Sequence, residues 1–191
     1  MHEPIILIGP IGTGKTTLAA LLAEKLGITH HELDEYRWTY YNEIGYDQEA
    51  VDKIQAEKDF LALYRYWKPF EIHAVERVLA DCPDGVISFG AGHSVYEDEA
   101  LLERARHALA PYDNVILILP CEDLDEAATF FKARHLEEAR QEGFEVWPDV
   151  LELMEHFVRH PSNRSLAKHV IYTQGKTPEQ SCAEIIQLIG R

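Results

Sequence analysis

No stretch of this chain approaches the ~20 consecutive apolar residues that a membrane-spanning helix needs; Ile5–Ile8 and Val115–Leu119 typify its apolar runs. A transmembrane helix is not expected. Cysteine is sparse: Cys82, Cys121 and Cys182 are odd in number and form no C-x-x-C pair. A disulfide framework and a thiolate zinc site are thereby excluded, leaving reduced, mostly buried thiols. Positive charge is also short, with 18 Lys and Arg against 33 Asp and Glu, a formal charge of -15. Such a field repels nucleic-acid polymers and anionic membranes, so any phosphate site must be local. The opening Met1-His2-Glu3-Pro4 lacks a basic lead-in, so no secretory signal is expected and the expected compartment is cytoplasmic. Linkers rich in Pro, Gly or Ser, internal repeats and low-complexity tracts are missing too, which predicts a single domain over residues 1–191.

The chain does contain short β-type runs, at Ile5–Ile8, His30–Leu33, Val86–Phe89, Val115–Leu119 and Val170–Thr173, separated by helical patterns. This βαβ alternation predicts an α/β fold, a parallel sheet covered by helices on both faces. Leu18, Leu21 and Leu22 share one helical stripe that stops before Gly27. Thr177-Pro178-Glu179-Gln180 supplies an N-cap, a first-position proline and a capping-box glutamine ahead of Cys182, Ile185, Ile186 and Ile189. Two segments stand apart. Tyr36 to Phe70 concentrates aromatic side chains, which either line a pocket or fill a helical subdomain. Glu122 to Glu145 is helical in propensity and highly charged, with Lys132, Arg134 and Arg140 as its basic groups.

Gly9-Pro10-Ile11-Gly12-Thr13-Gly14-Lys15-Thr16 fits G-x-x-x-x-G-K-[ST], directly after an apolar strand and opening an amphipathic helix. Glycines let the backbone curl so that successive N–H groups point at phosphate oxygens, adding to the positive end of the helix. Gly9, Ile11, Gly12, Thr13, Gly14, Lys15, Thr16 and Thr17 are the candidate ATP-binding residues. Lys15 is expected to reach the β- and γ-phosphates and Thr16 to place its hydroxyl on Mg2+. The loop predicts nucleotide binding and leaves the fate of the γ-phosphate open.

Glu32 and Asp34 are read as two positions on one strand face at the carboxyl end of the second strand, where ligands collect in open parallel sheets. Glu32 is the candidate second metal group and Asp34 the candidate base for an attacking hydroxyl. Gly90 and Gly92, in Ser88-Phe89-Gly90-Ala91-Gly92-His93, would let backbone approach a substrate.

Together these residues resemble the shikimate kinase group of small P-loop kinases, relatives of the nucleoside monophosphate kinases. The resemblance runs in order through the phosphate loop, the Glu32 and Asp34 pair, the Gly90-Ala91-Gly92 triplet and Arg159-His160-Pro161, similar to an R-x-P acceptor motif. It implies a P-loop three-layer sandwich, a five-stranded parallel sheet in the order 2-3-1-4-5, with an acceptor-binding subdomain over about 35–80 and a lid over about 122–146. It also implies ATP- and Mg2+-dependent phosphorylation of a small hydroxylated molecule, with Arg134 as the catalytic lid arginine, Arg140 being the other candidate, and Arg159 binding the acceptor or the transferred group. Where that family carries F-R to clamp a carboxylate, this chain has Phe70-Glu71, so shikimate is not the expected acceptor; a flat, neutral or cationic hydroxylated molecule is. The middle glycine of the triplet is Ala91, and Ser162-Asn163 stand where a tyrosine is expected.

Asp34-Glu35-Tyr36-Arg37 also resembles the D-x-Y-R stretch of polynucleotide 5′-hydroxyl kinases, which makes Arg37 a candidate substrate-binding residue and a nucleoside an alternative acceptor; the acidic charge argues against a polymer. An NTP-binding switch with slow hydrolysis is a second alternative. His156 and His160, with Glu152 a turn earlier, have metal-ligand spacing but are read as solvated side chains, because Pro161 breaks the helix.

Overall fold

Four consecutive aliphatic residues, Ile5–Ile8, form β1, and each is fully buried, as a strand covered on both faces requires. The computed structural model describes residues 3–190 apart from Lys58 and Trp147; the Met1-His2 start lies outside the described residues. β1 is the middle of a five-stranded sheet ordered β2-β3-β1-β4-β5, in which β2 is His30–Glu32, β3 Val86–Ser88, β4 Val115–Leu119 and β5 His169–Tyr172. All four pairings are parallel, with Ile6 opposite Ile87 on one side and Val115 on the other.

Helix α1 (Lys15–Leu26) follows β1, while α2 (Leu33–Glu43), α3 (Gln48–Ala56) and α4 (Phe60–Asp81) stand between β2 and β3. A 3-10 turn (Ala91–Ser94) and α5 (Glu99–Leu109) lead to β4; α6 (Leu124–Glu142), α7 (Pro148–Arg159) and α8 (Pro161–Leu166) lead to β5; α9 (Pro178–Leu188) comes last. Alternation along β1 divides the interior in two. Ile5 and Leu7 pack with Leu18 and Leu22 of α1 and with Cys182 and Ile185 of α9. Ile6 and Ile8 pack on the other face with Leu33, Val75, Val78 and Leu102.

Local signals are realised where they were expected. Gly27 ends α1 in the left-handed conformation, and Thr177 and Gln180 form a reciprocal capping box at α9. Cys82 and Cys182 are buried free thiols, and Cys121 is a half-buried one.

Three strand boundaries differ from expectation. β3 ends at Ser88, one residue short of Phe89, whose N–H still donates to Leu7 O at 3.0 Å. β5 runs His169–Tyr172, one residue earlier than the apolar run suggested. The larger correction is at β2, which stops at Glu32 because Leu33 opens α2 and buries itself in the core. Asp34 is therefore not on the strand face shared with Glu32. It lies in the first turn of α2 with Glu35, where a carboxylate is favoured by the helix dipole.

Candidate active site

The chain turns sharply after β1 because Gly9 adopts φ +139 and lies against β4: a Cβ there would stand 2.6 Å from the Ile118 carbonyl oxygen. Gly14, left-handed at φ 83, feeds the chain into α1, whose first turn holds no acidic residue. The positive end of α1 is left for an anion. Lys15 is buried and folds back on the loop, its Nζ donating to the Gly9 and Pro10 carbonyls at 2.8 Å each. Burial pulls its pKa down to about 8, against the opposing charges of Asp34 and Glu32. The Thr13 hydroxyl donates to Pro10 O at 3.1 Å, closing the turn, and the Thr16 hydroxyl donates to Glu32 Oε1 at 3.3 Å. Thr16 and Glu32 together offer hard oxygen donors of the kind Mg2+ takes, so the pair fits that ion.

One cleft of about 460 Å3 is lined by Lys15, Thr16, Asp34, Glu71, Gly92 and Arg134, among others. Ile11, Gly12, Gly14, Thr17, Arg37 and Gly90 also border it. Arg134 reaches it from α6, with Nη1 donating to the Gly12 carbonyl at 3.1 Å and Nε to Glu138 at 2.8 Å. Arg140 instead pairs with Glu137 on the exposed side of the same helix. Between the two candidates, Arg134 is the one beside the phosphate loop.

The end of the cleft away from the phosphate loop has a backbone floor between two carboxylates. A Cβ on Gly90 would lie 2.5 and 2.8 Å from the Asp34 carboxylate oxygens and 2.8 Å from His93 Nδ1. A Cβ on Gly92 would lie 2.0 Å from Glu71 Oε1. Glu71, 6% exposed, pairs with Lys68 at 2.5 Å one helical turn earlier in α4. Lys68 Nζ also donates to the Gly92 and Val95 carbonyls at 3.0 and 2.9 Å and sits 4.0 Å over the Tyr64 ring. Two of that ammonium's three donors are thus held by backbone carbonyls, and its charge stands beside the Glu71 carboxylate. His93 is buried, and desolvation holds its imidazole neutral despite the neighbouring Glu71 and Asp34. Arg37 Nη1 lies 3.4 Å from Asp34, with its guanidinium 4.4 Å above the Trp38 ring. Trp38, Tyr41, Tyr64 and Trp67 supply aromatic wall, whereas Tyr46, Tyr66 and Phe70 pack among themselves. Both readings of the aromatic segment are therefore realised, by different side chains.

Arg159 is not brought into this cleft. It ends α7 bound to Asp125 and Glu155, because the intervening turns direct it toward acidic residues on α6 and its own helix. Lys68 and His93 were missed by sequence reasoning. The i, i+3 spacing of Lys68 with Glu71 was a usable signal; nothing local marked His93.

A family model described as an AAA domain matches residues 4–162. The shikimate kinase of Streptomyces coelicolor is 28% identical over 180 residues, covering 92% of this chain and 89% of that protein. That of Salinispora arenicola is 28% identical over 195 residues, covering 100% and 99%. Among solved structures, a shikimate kinase from Acinetobacter baumannii in complex with shikimate aligns with TM-score 0.59 at 20% identity, over 98% of this chain and 92% of that one. A gluconokinase from Sinorhizobium meliloti aligns with TM-score 0.56 at 14% identity, over 97% and 93%. At these identities the two structures speak for the fold alone.

Proposed function

Because the chain belongs to the AAA domain family, we propose that, as a small-molecule kinase, it transfers the terminal phosphoryl group of ATP to a hydroxyl of an acceptor with no carboxylate facing Glu71. One observation carries this reading: a single cleft is lined both by phosphate-loop residues and by the Asp34, Gly92 and Glu71 wall. Donor and acceptor ends therefore share one enclosure, which a transfer in line requires.

In this assignment the loop amides and the Lys15 ammonium hold the phosphates, exchanging the Gly9 and Pro10 carbonyls for phosphate oxygens. Thr16 and Glu32 would hold Mg2+, which would supply positive charge against the phosphates. Asp34, steadied by Arg37, accepts the proton from the attacking hydroxyl. Arg134 adds positive charge at the transferred group, while α6 lies over the loop and limits entry of water.

The acceptor is read from Glu71 and Lys68. The clamp of a cation on an acceptor carboxylate is missing here: Glu71 stands in its place, and the nearby Lys68 ammonium is committed to Glu71 and to the Gly92 and Val95 carbonyls. Shikimate and other hydroxy acids are accordingly disfavoured; neutral polyols are favoured. The aromatic wall and the Arg37 stack on Trp38 favour a second reading, a nucleoside hydroxyl as acceptor. An ATP-consumption screen over hydroxy acids, neutral polyols and nucleosides, with Lys15→Met as the blank, separates these. Turnover of polyols or nucleosides well above the hydroxy acids is expected; efficient shikimate phosphorylation overturns the acceptor assignment.

A further inference from the structure

We propose that Glu97, His156 and His160 form a binding site for a zinc-class divalent cation that fastens α7 to the segment after the 3-10 turn. The three come from separate places: Glu97 precedes α5, His156 lies on α7 and His160 immediately precedes α8. Their ligand atoms all lie within 4.8 Å of one another. Glu152, the partner suggested by helical spacing, is not in the group; the fold puts Glu97 there instead.

The donor set selects the ion class. Two imidazoles and one carboxylate suit Zn2+, whereas Mg2+ and Ca2+ take oxygen donors. Three protein ligands leave a fourth position for water, and the half-exposed histidines leave the site open to solvent. Glu97 is already oriented: its Oε1 accepts from the Tyr64 hydroxyl at 2.7 Å and faces His156 Nε2 at 2.5 Å. A cation between carboxylate and imidazole replaces that shared proton, with Tyr64 supporting the carboxylate from behind. The two imidazole rings are 4.9 Å apart, centroid to centroid. His160 Nδ1 accepts a long 3.2 Å bond from the Ser162 N–H; ligation gives up this contact at the start of α8, where Pro161 has no N–H to satisfy.

Occupancy bears on the reaction cleft through α7. Leu153 and Phe157, flanking His156, both line the cleft, as does Tyr64. Fastening α7 to Glu97 fixes that wall, so the ion tightens acceptor binding and leaves the ATP end untouched. The site itself does not depend on which acceptor is used.

The test is titration of chelator-stripped, nucleotide-free protein with Zn2+, read by isothermal calorimetry, with Co2+ absorption reporting geometry. One equivalent is expected to bind with a tetrahedral Co2+ spectrum, and His156→Ala and His160→Ala are each expected to weaken binding at least about tenfold, while His135→Ala leaves it unchanged. Zn2+ affinity equal in the wild type and the His156→Ala/His160→Ala double variant overturns the site. So does binding lost equally in His135→Ala. Glu97→Gln is a nearly isosteric second variant should the histidine variants misfold, with folding checked by circular dichroism and by binding of a non-hydrolysable ATP analogue. Full Zn2+ affinity in a folded Glu97→Gln protein also rejects the proposal.

Discussion

Until nucleotide arrives, the loop carbonyls of Gly9 and Pro10 serve as ligands for Lys15. Folding lowers this ammonium from its ordinary 10.5 to about 8, chiefly by burial. Phosphates favour the charged form, so ATP binding takes up a proton once the free protein has begun to lose it. The expected consequence is kcat/KM for ATP that is level below pH about 8 and falls about tenfold per unit above it, measured as a pH profile at saturating acceptor. Stability responds in the opposite direction. Between about 8 and 10.5 the unfolded chain binds more protons, so this group's contribution rises with pH there and is least favourable below about 8. Gly92 gives a second test, because a Cβ there meets Glu71 Oε1 at 2.0 Å while Lys68 restrains that carboxylate. Gly92→Ala is expected to cost about 1–3 kcal/mol of stability through overpacking, seen in a denaturant titration, and to raise KM for the acceptor more than KM for ATP.

Helix α6 lies over the phosphate loop: a Cβ on Gly12 would be 3.5 Å from Phe131, and Arg134 donates to the Gly12 carbonyl. Removing one preorganised positive donor from the transferred group costs about 10²–10³ in kcat. Arg134→Ala is expected to show that loss in steady-state assays, whereas Arg140→Ala, whose side chain pairs with Glu137, stays near wild type. Legibility differed among elements for a physical reason. The phosphate loop, the α1 stripe and the α9 capping box are set by residues close together in sequence, and each could be read directly. The start of α2 could not. Leu33 looked like the last residue of a strand, yet burial beneath α4 draws it into a helix and carries Asp34 with it. Arg159 was equally opaque, since its partner Asp125 lies on α6.

Across the whole molecule, the parallel sheet followed from βαβ alternation and its strand order from the family resemblance alone, while the inner wall of the cleft depended on long-range packing. Lys68, Glu71 and His93 meet only because α4 crosses the 3-10 turn, 24 residues separating Lys68 from Gly92 in the chain. The negative charge of -15 is compatible with a local phosphate site, because Lys15, Arg37 and Arg134 border one cleft. The partition of the interior by the sheet has a further consequence. Helix α1, which follows the phosphate loop, is anchored in one apolar compartment, and α2 and α4, which carry Asp34 and Glu71, in the other. Substitutions that remodel the second compartment leave the footing of the first intact, so under the proposed assignment the acceptor end can diverge while the support of the phosphate loop is inherited unchanged.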